Sequence, residues 1–249
     1  MRCAAVAQRA GVGADGTHLP IPESAGGTYS CHGVEPGLRQ GETSAKINQD
    51  RGCVVFPYGR DAESAPYHQA LFCVYDGHGL HGDRVSQYAM NNVQEALDDH
   101  EMLRSNPGEA MRRVFLDVDR RLQKEPTIDS ALSGTTAVVI LMRWAKRQGA
   151  TKTANVWIAN VGDSRAILAQ SVSRGSGGSG SSAARSKLQG KDLTVDQEPD
   201  TPVEHARILK AGGVVSPPEE EWGGPARVWV DEAMTAPGLA RGRSIGDHP

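Results

Sequence analysis

The segment Leu71-Phe72-Cys73-Val74-Tyr75-Asp76-Gly77-His78-Gly79 decides how the rest of the chain is read. Five apolar residues run without interruption from Leu71 to Tyr75, and an acid, a glycine and a histidine follow at once. A run that short, closed by turn-forming residues, predicts a buried strand rather than a helix segment. The end of a strand sets its side chains at the rim of a sheet. Aspartate there is a hard oxygen ligand suited to Mg2+ or Mn2+. Glycine lets backbone approach a ligand closely, and histidine holds or gives a proton near neutral pH. Taken alone, Asp-Gly is also a common turn.

Beyond this strand, Val85, Ala89, Val93 and Leu97 recur every four residues, which predicts a helix with one apolar stripe. A second helix is predicted over 110–123, with Met111, Val114, Phe115, Val118 and Leu122 on one face, and Asn106-Pro107-Gly108 as the turn between the two. Strands are expected at 53–56, 136–142, 155–160, 165–169 and 227–230, where β-branched and apolar residues gather. Thr201, Pro202 and Glu204 read as a capping box that starts a third helix, and Gly212-Gly213 ends it. Strands do not alternate strictly with helices. That order argues for an α+β fold of antiparallel sheets flanked by helices, not for a doubly wound parallel sheet.

The bulk numbers set limits. A chain of 249 residues with 38% hydrophobic content can bury a sizeable core. A net charge of -3 is not that of a polyanion binder, so nucleic acid is not an expected partner. No stretch approaches the ~18 apolar residues of a membrane span. The first ten residues are broken by Arg2, Gln8 and Arg9, so they lack the apolar centre of a secretory signal. Cys3, Cys31, Cys53 and Cys73 fit no zinc spacing and read as reduced thiols, which places the protein in the cytoplasm or nucleus. Residues 1–37, rich in Gly, Ala and Pro, are expected to be a disordered leader before a domain at 38–249. The Gly/Ser tract within 171–190 is expected to be a flexible insert that lengthens a hairpin. Trp222 and Trp229 are expected to be packing residues.

Three further segments stand out. Lys46-Ile47-Asn48-Gln49-Asp50 puts an acid just before a strand, Ser133-Gly134-Thr135-Thr136-Ala137 is a small-residue entry into another, and Ala159-Asn160-Val161-Gly162-Asp163-Ser164-Arg165 carries a hairpin signal. Each alone also reads as a loop, as tight packing or as a turn. In this order, however, the four segments resemble the metal-dependent, type 2C protein phosphatases. The resemblance continues through Leu193-Thr194-Val195-Asp196, Glu204, Arg207, Ile208, Gly212-Gly213, Leu239-Ala240-Arg241 and Arg243-Ser244-Ile245-Gly246-Asp247, and covers about 38–249.

The resemblance implies a four-layer sandwich of two antiparallel sheets with helices outside, and two Mg2+ or Mn2+ ions at one end. It implies that Asp76 bridges both ions, that the Gly77 carbonyl ligates one, that Asp50 belongs to the same acidic cluster through water, and that Asp163 serves an additional metal. His78 matches the general acid. The implied reaction is hydrolysis of phosphoserine and phosphothreonine in proteins by a metal-activated water. Its partners would be phosphorylated proteins, and the chain would be a monomer. Two departures accompany it. Ala45 and Gln49 stand where the family commonly has an arginine and a glutamate, which leaves Lys46 to meet substrate phosphate as a point charge. The family's two last ligand aspartates would follow Asp247, and the chain ends at Pro249. The resemblance thus implies a domain truncated at its C-terminus. It would be a fragment of a longer protein, the product of a splice or gene-model truncation, or a pseudophosphatase that binds phosphoproteins or scaffolds a complex.

Overall fold

A computed structural model describes residues 27–36, 41–146, 153–172, 187–219, 223–234 and 238–249. Its elements are, in chain order, β1 (Val34–Pro36), β2 (Thr43–Ala45), β3 (Asp50–Val55), β4 (Tyr67–Gly79), α1 (Gly82–Asp98), α2 (Pro107–Leu122), β5 (Ser133–Thr135), β6 (Ala137–Ala145), β7 (Ala154–Val161), β8 (Ile167–Val172), β9 (Lys187–Asp192), α3 (Pro202–Lys210), β10 (Val214–Ser216), β11 (Arg227–Trp229) and β12 (Ile245–Gly246). The apolar run at 71–75 is therefore the middle of a 13-residue strand.

β4 organises the six-stranded sheet because it pairs with three others, all antiparallel. β3 runs beside it from Asp50 opposite Asp76 to Val55 opposite Leu71. β6 pairs with it from Tyr67 opposite Ala145 to Val74 opposite Val138. β5 takes over at Gly77, opposite Thr135, and continues to Gly79, opposite Ser133. β7 extends the sheet from β6, and β12 extends it from β5. Asp-Gly-His-Gly is consequently the last stretch of a strand, not a turn after one. Its backbone groups find ladder partners in β5, and pairing overrides the local turn preference.

Side chains of a strand alternate between faces. The odd-numbered Leu71, Cys73 and Tyr75 of β4, with Ala137, Val139 and Leu141 of β6, are buried against the two long helices. Val85, Ala89, Val93 and Leu97 of α1 are wholly inaccessible, as the stripe predicts, and Met111, Val114, Val118 and Leu122 of α2 join them. Each such side chain contributes about 1.5–3 kcal/mol by leaving water. The even-numbered residues of β4 face the other way: Val74 is 54% exposed, and Asp76 and His78 are half-buried.

The helix ends refine the sequence reading. The stretch 106–108 is no turn between helices but the start of α2. The Asn106 side chain caps it by accepting from the Glu109 N–H at 3.2 Å, and Pro107, in the first turn, has no N–H that needs a partner. α3 begins at Pro202 as predicted, but no capping box forms. The Thr201 hydroxyl donates to the Glu198 carbonyl at 2.9 Å, and the Glu204 carboxylate is drawn away by arginines. Its end at Gly212-Gly213 is as expected, with the Gly213 N–H reaching back to the Ile208 carbonyl.

The antiparallel α+β class is the expected one. Outside the large sheet the strands pair in twos: β1 with β2, β8 with β9, and β10 with β11. β7 and β8 are not paired with each other, so Gly162-Asp163 is not the hairpin turn its composition suggests. β1 lies inside 1–37, so ordered structure starts earlier than the sequence implied; residues 1–26 lie outside those described. The ends of 171–190 are strand, in β8 and β9, and 173–186 lie outside the described residues. Trp229 packs as expected, its ring against Gly238 and its Nε1–H donating to Ser216 Oγ, while Trp222 is outside the described set. Cys31, Cys53 and Cys73 are free thiols; Cys3 is not among the described residues. No described helix is long and apolar enough to cross a membrane.

Candidate active site

The register of β3 on β4 sets Asp50 directly opposite Asp76, and the two carboxyls are within hydrogen-bonding reach. Burial, and then the neighbouring Asp76 charge, push the Asp50 carboxyl above the usual carboxylate range. The Asp76 main chain is held from both sides by Thr136, which stands between β5 and β6. Thr136 N–H donates to the Asp76 carbonyl, and Asp76 N–H donates to Thr136 Oγ1, each at 3.0 Å. Thr136 Oγ1 also lies 2.6 Å from Ser164 Oγ. The small-residue segment 133–137 is thus more than tight packing, because it places the central acid.

Asp163 follows β7 at the same end of the sheet. The turn that carries it is pinned by Gln197, whose side-chain oxygen accepts from Gly162 N–H at 2.9 Å and whose own N–H donates to the Gly162 carbonyl. Gly162 has φ +95°, and a Cβ there would stand 2.7 Å from Thr136 Cγ2, so the turn needs glycine.

One arginine draws these acids and the histidine together. Arg241 donates from Nε to Asp163 Oδ1 at 2.7 Å, from Nη2 to Asp76 Oδ2 at 2.7 Å, and from Nη1 to His78 Nδ1 at 2.9 Å. Guanidinium nitrogens only donate, so His78 Nδ1 is the acceptor and the ring proton sits on Nε2. That proton faces Asp247 Oδ2 at 2.7 Å, and Ser244 Oγ bonds the same oxygen. Asp247 has φ +52°, an uncommon conformation for a residue with a side chain, and the His78 pair occupies the space above Gly134. A Cβ on Gly134 would meet His78 Nε2 and Asp247 Cγ, each at 2.8 Å.

Of the residues singled out from sequence, Asp50, Asp76, His78 and Asp163 therefore converge. Gly77 is buried in β4 opposite Thr135, beside Asp76. Lys46 is exposed just after β2, its N–H bonded to the Gly33 carbonyl, and the guanidinium at the cluster comes from Arg241 instead. Gln49, at the position of a family glutamate, is committed to structure: its Nε2 donates to the Gly79 carbonyl at 2.6 Å, and its carbonyl accepts from Ser86 Oγ. Arg241 and Asp247 lie in the segments that carry the resemblance, which implies no role for either. A signal was available, since a group of acids gathered at one sheet end requires a counter-charge, and 239–247 holds two arginines.

The second of these arginines does different work. Arg243 and Arg207 both bond the Glu204 carboxylate of α3, whose side chain is 7% exposed. Burial opposes ionisation of Glu204, and the two guanidiniums outweigh it, holding the carboxyl below its ordinary value. Arg165 likewise pairs bidentately with Asp196 near the turn.

Hard carboxylate oxygens from Asp50, Asp76 and Asp163 are the donor set that Mg2+ or Mn2+ prefers. Burial first, and then Asp76, raise the Asp50 carboxyl against the pull of Arg51 and Arg241. By the chemistry of its donors the cluster fits such ions. Among the described residues no three ligating groups stand closely enough to hold a metal as they are, and the Arg241 guanidinium is bonded to both Asp76 and Asp163. Asp50 and Asp76 open on a groove of about 490 Å³ that Phe72, Val74, Ile140 and Arg165 also line.

A model of the protein phosphatase 2C family matches residues 45–249. The probable protein phosphatase 2C 35 of Arabidopsis thaliana is 31% identical, over 92% of this chain and 62% of its own length. The probable protein phosphatase 2C 34 of the same plant is 35% identical, over 84% of this chain and 55% of its own. The chain spans about half the length of the curated relatives it matches. Among solved structures, a serine-threonine phosphatase 2C from Toxoplasma gondii has a TM-score of 0.53 at 18% identity, covering 88% of this chain and 72% of that one. A C. elegans sex determining protein has the same TM-score at 20% identity, covering 87% and 43%. These two likenesses show a shared fold.

Proposed function

The chain belongs to the protein phosphatase 2C family, and from that premise we propose that the acidic end of its large sheet hydrolyses phosphoserine and phosphothreonine in proteins. The observation that carries the reading is the convergence of Asp50, of Asp76 and His78 on one strand, and of Asp163, from three separate parts of the chain.

Asp50, Asp76 and Asp163 would hold Mg2+ or Mn2+. The bound ions would lower the pKa of a water and neutralise charge on the phosphoryl oxygens. The remaining work belongs to the chain's own residues. Thr136 fixes the main chain from which the Asp76 carboxylate projects, and β3 sets Asp50 opposite it. A seryl or threonyl alkoxide leaves poorly unless it is protonated, and His78 is the proton donor at this site. Asp247, accepting from Nε2–H, orients the ring, so that Nδ1 is the atom that gives a proton toward the acids. The substrates are phosphorylated proteins, with the groove beside Asp50 and Asp76 as the approach. The free thiols Cys31, Cys53 and Cys73 support a reducing location, cytoplasm or nucleus.

The test is Mn2+-dependent phosphate release from a phosphothreonine peptide by the 249-residue chain, beside Asp76→Ala and His78→Gln. Asp76→Ala is expected to abolish metal-dependent turnover, and His78→Gln to lower kcat by about 10²–10⁴-fold. Release that survives a chelator, or that is indifferent to both substitutions, would sink the proposal.

A further inference from the structure

We infer that Arg241 is a built-in counter-cation that competes with the divalent ion for Asp76 and Asp163 while it sits between them. The inference rests on the metal-dependent reading above and adds a residue to which that reading gives no part.

All three guanidinium nitrogens are engaged, each with a different member of the site: Nε with Asp163, Nη2 with Asp76 and Nη1 with His78. A planar fork with fixed donor directions suits three acceptors arranged around it. The carboxylate oxygens it takes, Asp76 Oδ2 and Asp163 Oδ1, are ones a metal would need, and an oxygen committed to a guanidinium at 2.7 Å is not free to ligate. The third nitrogen, Nη1, is anchored on His78 Nδ1, which holds the fork in place between the two acids.

The chain around Arg241 lets the side chain leave without moving the main chain. Leu239 is bridged to Val228, the Gly242 N–H donates to the Gln197 carbonyl at 2.6 Å, and Arg243 is clasped by Glu204. With its neighbours anchored by their own bonds, Arg241 would leave by rotation about its side-chain bonds while the main chain stays in place. The apparent affinity for the ion is then the intrinsic one reduced by the fraction of molecules in which Arg241 has swung out.

Calorimetric titration of the full chain with MnCl2 tests this, using wild type, Arg241→Gln, Arg241→Lys and Asp76→Ala. Arg241→Gln is expected to bind Mn2+ about tenfold tighter than wild type. Arg241→Lys should fall between them, because an ammonium is a point charge and cannot fork. Asp76→Ala should bind weakly or not at all. Should Arg241→Gln fail to fold, as circular dichroism would reveal, Arg241→Lys carries the test and must still bind tighter than wild type. A second readout needs no substitution: the Arg241 Nε–H resonance of wild type should shift when Mg2+ is added. Equal or weaker Mn2+ binding in the Arg241 variants, or an Nε–H resonance unmoved at saturating Mg2+, overturns the competition and leaves the metal site standing. No Mn2+ binding by any variant overturns the metal site itself, and the competition with it.

Discussion

Arg241 and Arg243 stand two residues apart on one stretch of chain, yet they serve charge centres of opposite character. Arg243 shares the buried Glu204 with Arg207, so two guanidiniums meet one carboxylate, and the carboxyl is held below its ordinary value. Arg241 alone is shared between Asp76 and Asp163, while Asp50 stands beside Asp76 with its carboxyl pushed up. The first centre is closed: two cations outnumber one acid, and any further cation would be repelled. The second is short of positive charge and open to a groove. The difference teaches how to tell a structural ion pair from a functional one. In the former the cations are in excess, and in the latter the anions wait for one.

Three substitutions test that contrast. The largest effect on stability is expected from Glu204→Gln, which leaves two arginines without their acid. Charge-assisted bonds of this kind contribute about 2 kcal/mol after allowance for the half-exposed arginines, measurable by urea unfolding. The loss should depend on pH in a fixed sense. Because the folded-state value of Glu204 is lowered, its contribution is complete above the unfolded value of about 4.3 and disappears as pH falls through the folded value. The gap between wild type and Glu204→Gln should therefore close in acid.

A smaller effect, about 1 kcal/mol, is expected from Arg241→Gln without divalent ions. The decisive point is recovery. Mn2+ should restore the stability of Arg241→Gln, since the ion supplies the missing positive charge, and should leave the deficit of Glu204→Gln untouched. Recovery of both, or of neither, would erase the distinction between the two centres. The smallest effect belongs to Asp50→Asn. A carboxyl raised by burial and by Asp76 is better neutral when no ion is bound, so this change should lift the melting temperature of the metal-free chain slightly. A fall would mean that Asp50 is already fully compensated.

Much of this architecture was legible in the sequence. The four-residue spacing of Val85, Ala89, Val93 and Leu97 names the buried face of α1 correctly, because helix periodicity and burial are the same physical fact. The apolar run at 71–75 gives the location of β4 but not its length. Polar residues at its end remain in the strand because β5 supplies partners, and pairing across 50 residues leaves no local trace. The capping box at Thr201 fails for a similar reason, since Glu204 is claimed by arginines from elsewhere in the chain. At the site, Asp50, Asp76, His78 and Asp163 stand out through residue chemistry at strand ends and through family resemblance. Arg241 and Asp247 do not, because their roles exist only after 239–247 folds back onto β4 and β5.

Thr136 carries a consequence for which residues its position can accept. Its hydroxyl is spoken for by the Asp76 N–H and by Ser164, and its methyl fills the space above Gly162. Valine would keep the methyl and strand an amide; serine would keep the oxygen and open a void. A single branched carbon thus satisfies a polar and an apolar requirement together. The repertoire at residue 136 collapses to threonine although the residue itself touches neither phosphate nor metal. Intolerance to substitution can therefore sit one residue behind the chemistry, and a survey of permitted amino acids here would mark position 136 as sharply as position 76.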